Sequence, residues 1–292
     1  MRLSKYVTVS GIAIISIAIL SLVFPLISYS DFISIFKDGA RVTRVGDGTA
    51  VGNLSGKFSV DPSGSAVYDI PISAPPGTAK MAPDLSLHYD SSGGNGILGM
   101  GFSLQGLTAI TRVPSNMAQN GVIHGVDFSS LDRFALNGQQ LVSMGGTYGA
   151  DGTEYRTYID SQARIVSQGT AGNGPAGFVV QTKGGQTAWY GTTPDSQILA
   201  NGPLANGAVA LFALSKIQDA AGNTIAYHYI SDPTNGSYYP SEIDYTSNDN
   251  TSPKVVASNA IKFIYDSTPR PDPITNYTSG SLFTKSMRSE AI

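Results

Sequence analysis

Three glycines at residues 94, 96 and 99 form the most suggestive chemical motif of the sequence. Gly94, Gly96 and Gly99 match G-x-G-x-x-G, the pattern that cradles a dinucleotide pyrophosphate. That function needs a helix opening at the last glycine and an acidic residue about 20 positions further on. Neither follows, because residues 100–104 contain Gly101 and alternate with a period of two. The motif therefore predicts a tight connector between strands, and no nucleotide cofactor.

The histidines show no spacing that is typical of a metal or catalytic site. His88, His124 and His228 lie far apart in the chain, and no two of them are four residues apart. His88 and His228 fall on the polar faces of their predicted strands, opposite the apolar stripes. We interpret them as solvent-facing polar residues and predict no metal ligand.

The other familiar catalytic patterns are missing from the sequence. Ser103 follows Gly101 but lacks the second glycine of a G-x-S-x-G elbow, and it lies in a strand-like run. The sequence has no Walker A lysine motif, and nothing singles out a carboxylate pair for glycoside chemistry. A dispersed Ser/His/Asp triad stays open as an alternative, because its members need only meet in space. The sequence predicts no catalytic, cofactor-binding or metal-binding residue, and no enzyme.

The composition indicates a β-rich chain. Its 292 residues include 33 glycines, 15 tyrosines and no cysteine, which excludes disulfides and thiolate metal sites. Glutamate supplies only three of the 21 acidic residues, and the aspartates that supply the rest favour turns and caps over helix interiors. The net charge is −3 and no basic patch is present, so we expect no nucleic-acid partner.

Residues 1–30 predict an export signal. Arg2 and Lys5 precede a long apolar run, and the small residues Ser28 and Ser30 suit a signal peptidase that cleaves after Ser30. An uncleaved membrane anchor is the alternative, because about 20 apolar residues can span a bilayer. If the leader is cleaved, contact with a membrane is expected only transiently and through this segment.

The segment Gly64–Arg112 sets the pattern of alternating strands. Tyr68 and Ile70 fall on one face of a first predicted strand, and Leu87 and Tyr89 fall on one face of a second. Polar residues occupy the opposite face of the second strand.

Short turns continue this pattern along the chain. Residues 137–138, Asn-Gly, predict a type I′ hairpin, and residues 184–185, Gly-Gly, predict a second hairpin in which Val180 lies opposite Trp189. The polar composition of residues 231–281 predicts long exposed loops between strands. The predicted fold class is all-β, with antiparallel, hairpin-rich sheets in a shell-like or sandwich-like arrangement, preceded by an N-terminal apolar signal helix.

A series of motifs runs in order through residues 56–290. Its clearest members are GSAVYDIPI (64–72), PPGT (75–78), MAPDLSL (81–87), GFSL (101–104), GLTAITR (106–112), DRF (132–134) and YGADGTEY (148–155). The series resembles the N-terminal domain of the Salmonella virulence plasmid B protein (SpvB) and of the B subunit of insecticidal toxin complexes (TcdB/TcaC type). Phe102 departs from this pattern, because the family often has tryptophan there.

The resemblance implies a non-catalytic module of a secreted toxin-related protein. Similar B subunits help to build a hollow β shell around a toxic C-terminal fragment, and in SpvB-like proteins the ADP-ribosyltransferase is a separate C-terminal domain. Such transferases use an E-x-E pair, which the isolated Glu154, Glu242 and Glu290 cannot form. The implied partners are other toxin-complex components, or downstream propeller and YD-repeat domains of the same protein. The implied location is extracellular, with family members that reach the host cytoplasm.

These observations divide the chain into a leader (1–30), a linker (31–55) and a β domain (56–292) that we expect to be truncated at its C-terminus. The leading functional prediction is a structural and delivery module that contributes a β-sheet shell and encloses or presents a toxin part. A secreted surface adhesin or carbohydrate-binding β module is the alternative, suggested by the 15 tyrosines and the polar loops. An enzyme with a dispersed site is a third possibility.

Overall fold

The computed structural model describes residues 56–278 and 281–292, so the predicted leader and linker lie outside the described residues. The described residues form twenty-two strands, one short α-helix, α1 (Met117–Asn120), and a 3-10 helix (Thr78–Lys80). All of their strand pairs are antiparallel, which confirms the predicted all-β class. Within this part, no helix has the length and apolar character needed to cross a membrane.

A four-stranded sheet with the order β1-β2-β3-β6 opens the described part. The first six strands are β1 (Lys57–Val60), β2 (Ala66–Pro71), β3 (Ser86–Asp90), β4 (Asn95–Gly96), β5 (Gly99–Met100) and β6 (Phe102–Gln105). Strand β2 ends at Pro71, which has no N–H for a further ladder bond. The small β4–β5 pair lies between β3 and β6 in the chain and occupies the glycine-rich connector.

An aromatic row crosses this sheet. Phe58 pairs with Tyr68, Tyr68 with Tyr89, and Tyr89 with Phe102, so the four side chains share one face. The rings of Tyr89 and Phe102 lie 4.9 Å apart between centroids. The alternation that the sequence predicts for these strands is confirmed by this register.

The middle of the chain forms a closed eight-stranded barrel. Its strands are β7 (Ala109–Val113), β8 (Arg133–Leu136), β9 (Gln139–Gly145), β10 (Glu154–Thr157), β11 (Arg164–Gln168), β12 (Gly177–Gln181), β13 (Thr187–Tyr190) and β15 (Val209–Gln218). Each strand from β7 to β13 pairs with the next, and β15 pairs with both β7 and β13. Strand β14 (Gln197–Leu199) pairs with β15 outside this ring. Closure removes the exposed edges that would otherwise pair with other chains.

Aromatic side chains fill the barrel. Phe134, Tyr155, Phe178 and Phe212 are all buried. The Phe178 ring lies 4.9 Å from Phe212 and 5.2 Å from Phe134, between centroids, with edge-to-face geometry in both pairs. A small eight-stranded barrel has an interior just wide enough for side chains to fill, and these rings pack against one another there together with aliphatic residues of the same core.

The structure confirms the first predicted hairpin and corrects the register of the second. At residues 137–138 the turn is as predicted, with φ of +50° at Asn137 and +76° at Gly138, the positive values that a type I′ turn requires. In the second hairpin the predicted register is wrong, because Trp189 lies opposite Val179, not Val180.

The physical reason is the length of the turn. Thr182 donates its N–H to the Gln186 carbonyl, so three residues, 183–185, form the loop in place of two. A shift of one position moves a side chain to the opposite face of the sheet. Val180 is therefore buried in the core, whereas Trp189 lies on the other face and stacks against Lys216, whose Nζ is 4.2 Å from the ring centroid.

The C-terminal part corrects the prediction of long loops over residues 231–281. It contains β16 (Asn223–Asp232), β17 (Ser237–Asn248), β18 (Asn259–Lys262), β19 (Ile264–Tyr265), β20 (Ile274–Thr278), β21 (Ser281–Lys285) and β22 (Ser289–Ala291). The 12 residues of β17 make a long strand that pairs with both β16 and β18. Ile243 and Tyr245 are buried in the core on one side of it, and Tyr239, beyond a bulge in the pairing with β16, is buried against Tyr265. The alternation was present in the sequence, but the many Ser, Asn and Thr residues on the other face obscured it.

Candidate functional site

The glycine-rich connector forms a tight hairpin between strands. Residues 95–96 pair with residues 99–100, and β6 follows immediately. A Cβ at Gly96 would lie 1.8 Å from the Phe102 carbonyl oxygen, so only glycine fits there. A strand follows where a dinucleotide site needs a helix N-terminus, in agreement with the sequence analysis.

A buried arginine from the C-terminal part holds this connector. Arg270 donates from Nη1 to the Gly96 carbonyl at 2.9 Å and from Nη2 to Asn95 Oδ1 at 2.6 Å. Its Nε donates to Asp272 Oδ1 at 3.0 Å, and this contact is the main cause that lowers the pKa of the Asp272 carboxyl. The polar groups of the connector are therefore used within the fold.

A buried ion pair joins two of the sequence motifs inside the barrel. Arg112 Nη1 donates to Asp132 Oδ2 at 2.8 Å, and both side chains are at most 2% exposed. Arg112 also donates from Nε to the Val209 carbonyl at 2.7 Å, and its guanidinium lies 5.2 Å from the Phe134 ring centroid. Burial lowers the pKa of Arg112, and the contact with Asp132 opposes that shift. The sequence placed these residues in separate motifs and did not predict that they meet.

A histidine and two aspartates come together beside this ion pair. His124 Nε2 lies 3.5 Å from Asp127 Oδ2, and Asp132 Oδ1 accepts the Asp127 backbone N–H at 3.0 Å. Potential ligand atoms of the three residues lie within 4.8 Å of one another. A hydrogen bond from Ser129 is the main cause that lowers the pKa of Asp127. The sequence treated His124 as isolated, since neither neighbouring aspartate has a familiar ligand spacing.

The structure also aligns Asp69, His88 and Ser103 across the first sheet. These are the three residue types of the dispersed triad that the sequence left open. His88 pairs with Asp69 on one side and with Ser103 on the other, and its Nδ1 lies 2.6 Å from Asp69 Oδ1. The Ser103 hydroxyl instead accepts a hydrogen bond from Gln105 Nε2 at 3.1 Å. No hydrogen bond joins His88 to Ser103 in the described residues, so the row lacks the contact that activates a nucleophile.

His228, in strand β16, also lies beside aspartates. Its Nε2 lies 3.3 Å from Asp244 Oδ2 and its Nδ1 lies 4.0 Å from Asp195 Oδ2. Its side chain is half exposed, as the sequence predicts for a polar residue opposite an apolar stripe. Two further aspartates of the C-terminal part also have partners within the protein. Asp232 accepts the Thr234 N–H, and Asp249 pairs with Lys216.

This geometry defines a β-barrel module with a buried ion pair between Arg112 and Asp132. Residues 60–267 match the family described as SpvB, Salmonella virulence plasmid 65kDa B protein. The chain belongs to this family. No curated protein sequence matches it.

Three solved structures share the fold. The TcdB2–TccC3 crystal structure has a TM-score of 0.61 and 18% identity, over 82% of this chain and 14% of that one. The Tc holotoxin pore of Photorhabdus luminescens has a TM-score of 0.61 and 17% identity, over 84% and 14% of the two chains. The N-terminal domain of the effector SpvB from Salmonella typhimurium strain LT2 has a TM-score of 0.56 and 21% identity, over 75% and 85%. This chain thus spans about one seventh of the toxin-complex chains and most of the SpvB domain.

The connector is expected to tolerate alanine at one motif glycine and not at another. Gly96→Ala should lower the free energy of unfolding by about 1–3 kcal/mol, because its Cβ would collide with the Phe102 carbonyl. Gly94→Ala is the matched control, since a Cβ there meets nothing within 4 Å. Denaturant unfolding of both variants measures the difference. Equal stability of the two variants would contradict the role assigned to Gly96.

Removing one partner of the buried Arg112–Asp132 ion pair is expected to lower the free energy of unfolding. Asp132→Asn should destabilise the fold by about 3–5 kcal/mol, because it leaves the Arg112 charge buried without a counter-ion. Glu242→Gln removes an exposed ion pair to Lys262 and should cost at most about 1 kcal/mol. Chemical denaturation compares them. A loss for Asp132→Asn as small as that of the control would show that the buried pair contributes little.

Proposed function

We propose that the chain is a non-catalytic structural and delivery module of a secreted toxin-complex or YD-repeat (RHS-type) virulence protein. It contributes β-sheet shell that encloses or presents a toxin part. The observation that carries this proposal is the fold, which is shared over 82% of the chain with 14% of a TcdB2–TccC3 structure. A segment of such an assembly acts through the surfaces it presents to its neighbours.

The use of charge inside the fold supports a structural role. Arg112 and Arg270 have side chains at most 2% exposed, and each is paired with an aspartate of the same chain. Aromatic rings fill the barrel, so its interior serves packing. These groups hold strands together, in keeping with a module that binds and shields.

The partners follow from the same proposal. They are other toxin-complex components, or downstream propeller and YD-repeat domains of the same protein. Export requires the leader, which we propose is cleaved after Ser30, giving an extracellular protein that reaches the host cell with its assembly. Anchoring by an uncleaved leader is the alternative.

The leader is tested by mass spectrometry of the protein recovered from culture medium and from membranes. We expect the exported chain to begin at Asp31, because Ser28 and Ser30 suit signal peptidase. A Ser30→Lys variant should accumulate with its leader attached, since a large charged residue does not fit a site for small residues. A wild-type chain that still begins near Met1 and sediments with membranes would show an anchor.

Shielding is tested by limited proteolysis of the natural full-length protein together with its toxin part. Deletion of residues 56–292 should make the toxin part sensitive to protease concentrations that the intact assembly resists. Ser103→Ala and His88→Gln are the controls, and both should leave protection and toxicity unchanged. Equal protection after the deletion would contradict a shell role, and lost toxicity in both controls with protection intact would favour an enzyme.

A carbohydrate-binding or adhesin module is favoured by one observation, the aromatic row that ends at Phe58, which is 64% exposed. Aromatic faces are common platforms for sugars, so the chain is applied to a glycan array. Specific binding that is lost in Phe58→Ala and kept in Tyr277→Ala, another exposed aromatic, would support this function. Binding to no glycan would leave the shell proposal as the better account.

A further inference from the structure

We propose that His124, Asp127 and Asp132 form a binding site for a divalent transition-metal cation of the zinc class. One ring nitrogen and two carboxylate oxygens from these residues lie within 4.8 Å of one another. A single ion can therefore reach all three with modest side-chain movement, since its bonds to nitrogen and oxygen are about 2.0–2.2 Å long. The site is independent of the shell function proposed above.

Backbone contacts hold the three donors in place. His124 forms an isolated antiparallel bridge with Ser115, whose N–H donates to the His124 carbonyl at 3.0 Å. Asp127 donates its N–H to Asp132 Oδ1, and Asp132 directly precedes β8 of the barrel. The donors are thus attached to the barrel at both ends of a short segment, and little chain entropy is lost when an ion binds.

The ring nitrogen that faces Asp127 is the donor that we assign to the ion. His124 Nε2 lies 3.5 Å from Asp127 Oδ2, which is longer than an ordinary hydrogen bond. One ion with bonds of about 2.0–2.2 Å can lie between these two atoms. Nδ1 then carries the ring proton, as the neutral imidazole requires when Nε2 binds a metal.

The charge of the group suits a cation in spite of the nearby arginine. Arg112 balances the charge of Asp132, and Asp127 adds a second carboxylate, so the group carries about one net negative charge with neutral His124. The hydrogen bond from Arg112 also orients the Asp132 carboxylate, as outer-shell partners do for ligating carboxylates. Each carboxylate oxygen has two lone pairs, so Asp132 can still bind an ion.

The donor types favour one class of metal. Imidazole nitrogen suits Zn²⁺ and its neighbours, whereas Mg²⁺ and Ca²⁺ prefer sites made of oxygen alone. The side chains of His124 and Asp127 are 29% and 40% exposed, so water can complete the coordination. We expect one Zn²⁺ per chain and little response to Mg²⁺ or Ca²⁺.

The test is isothermal titration of the metal-free 292-residue chain with Zn²⁺, and separately with Mg²⁺ and Ca²⁺. His124→Gln and Asp127→Asn should each weaken Zn²⁺ binding about tenfold or more, because each removes one ligand. His228→Gln is the matched control, because His228 also lies beside two aspartates and should leave this binding unchanged. Circular dichroism of each variant checks the fold, and Asp127→Asn, which keeps the size of the side chain, carries the test if His124→Gln unfolds.

Three results would overturn the proposal. They are no stoichiometric Zn²⁺ binding by the wild-type chain, wild-type affinity in both folded variants, and a loss of binding in His228→Gln as large as in His124→Gln. Ca²⁺ or Mg²⁺ binding as tight as that of Zn²⁺ would overturn the class of metal.

Discussion

Strand β15 is the constraint on which the rest of this structure depends. Its first half pairs with β14 and β7, and its second half pairs with β13 and β16. One ten-residue strand therefore closes the barrel and also begins the C-terminal sheet. Phe212 and Leu214 of this strand are buried in the core, so its packing and its pairing support the same arrangement.

Closure of the barrel places the charge of Arg112 away from water. Because Arg112 pairs across the strands with Phe134, it shares the face of a buried ring, and its charge needs a partner away from water. Asp132 supplies that partner from the residues just before β8, and its other oxygen anchors the Asp127 backbone. The same carboxylate thus links the barrel core to the segment that carries the His124 group. A structural ion pair and a candidate metal site are in this way parts of one network.

Local patterns allowed much of the fold to be predicted. Alternation identified β2, β3 and β6, and the Asn-Gly pair identified the β8–β9 turn, because both depend on neighbouring residues alone. The register predicted for Trp189 was wrong, since a glycine pair can close a loop of two or three residues. Strand β17 was missed because polar residues on its exposed face outweighed the buried Tyr239 and Tyr245 in the composition. The candidate site was harder still, because His124 and its aspartates have no regular spacing.

The sequence by itself determined that this protein is an antiparallel all-β chain, that its glycine-rich connector leads into a strand, and that its motifs resemble the SpvB family. Those properties follow from backbone preferences and side-chain alternation, which act over a few residues. Only the tertiary structure decided that the barrel closes, that Arg112 meets Asp132, and that Arg270 holds the connector around Gly96. These contacts join residues up to about 170 positions apart, so they depend on strand order and register, which no local preference encodes.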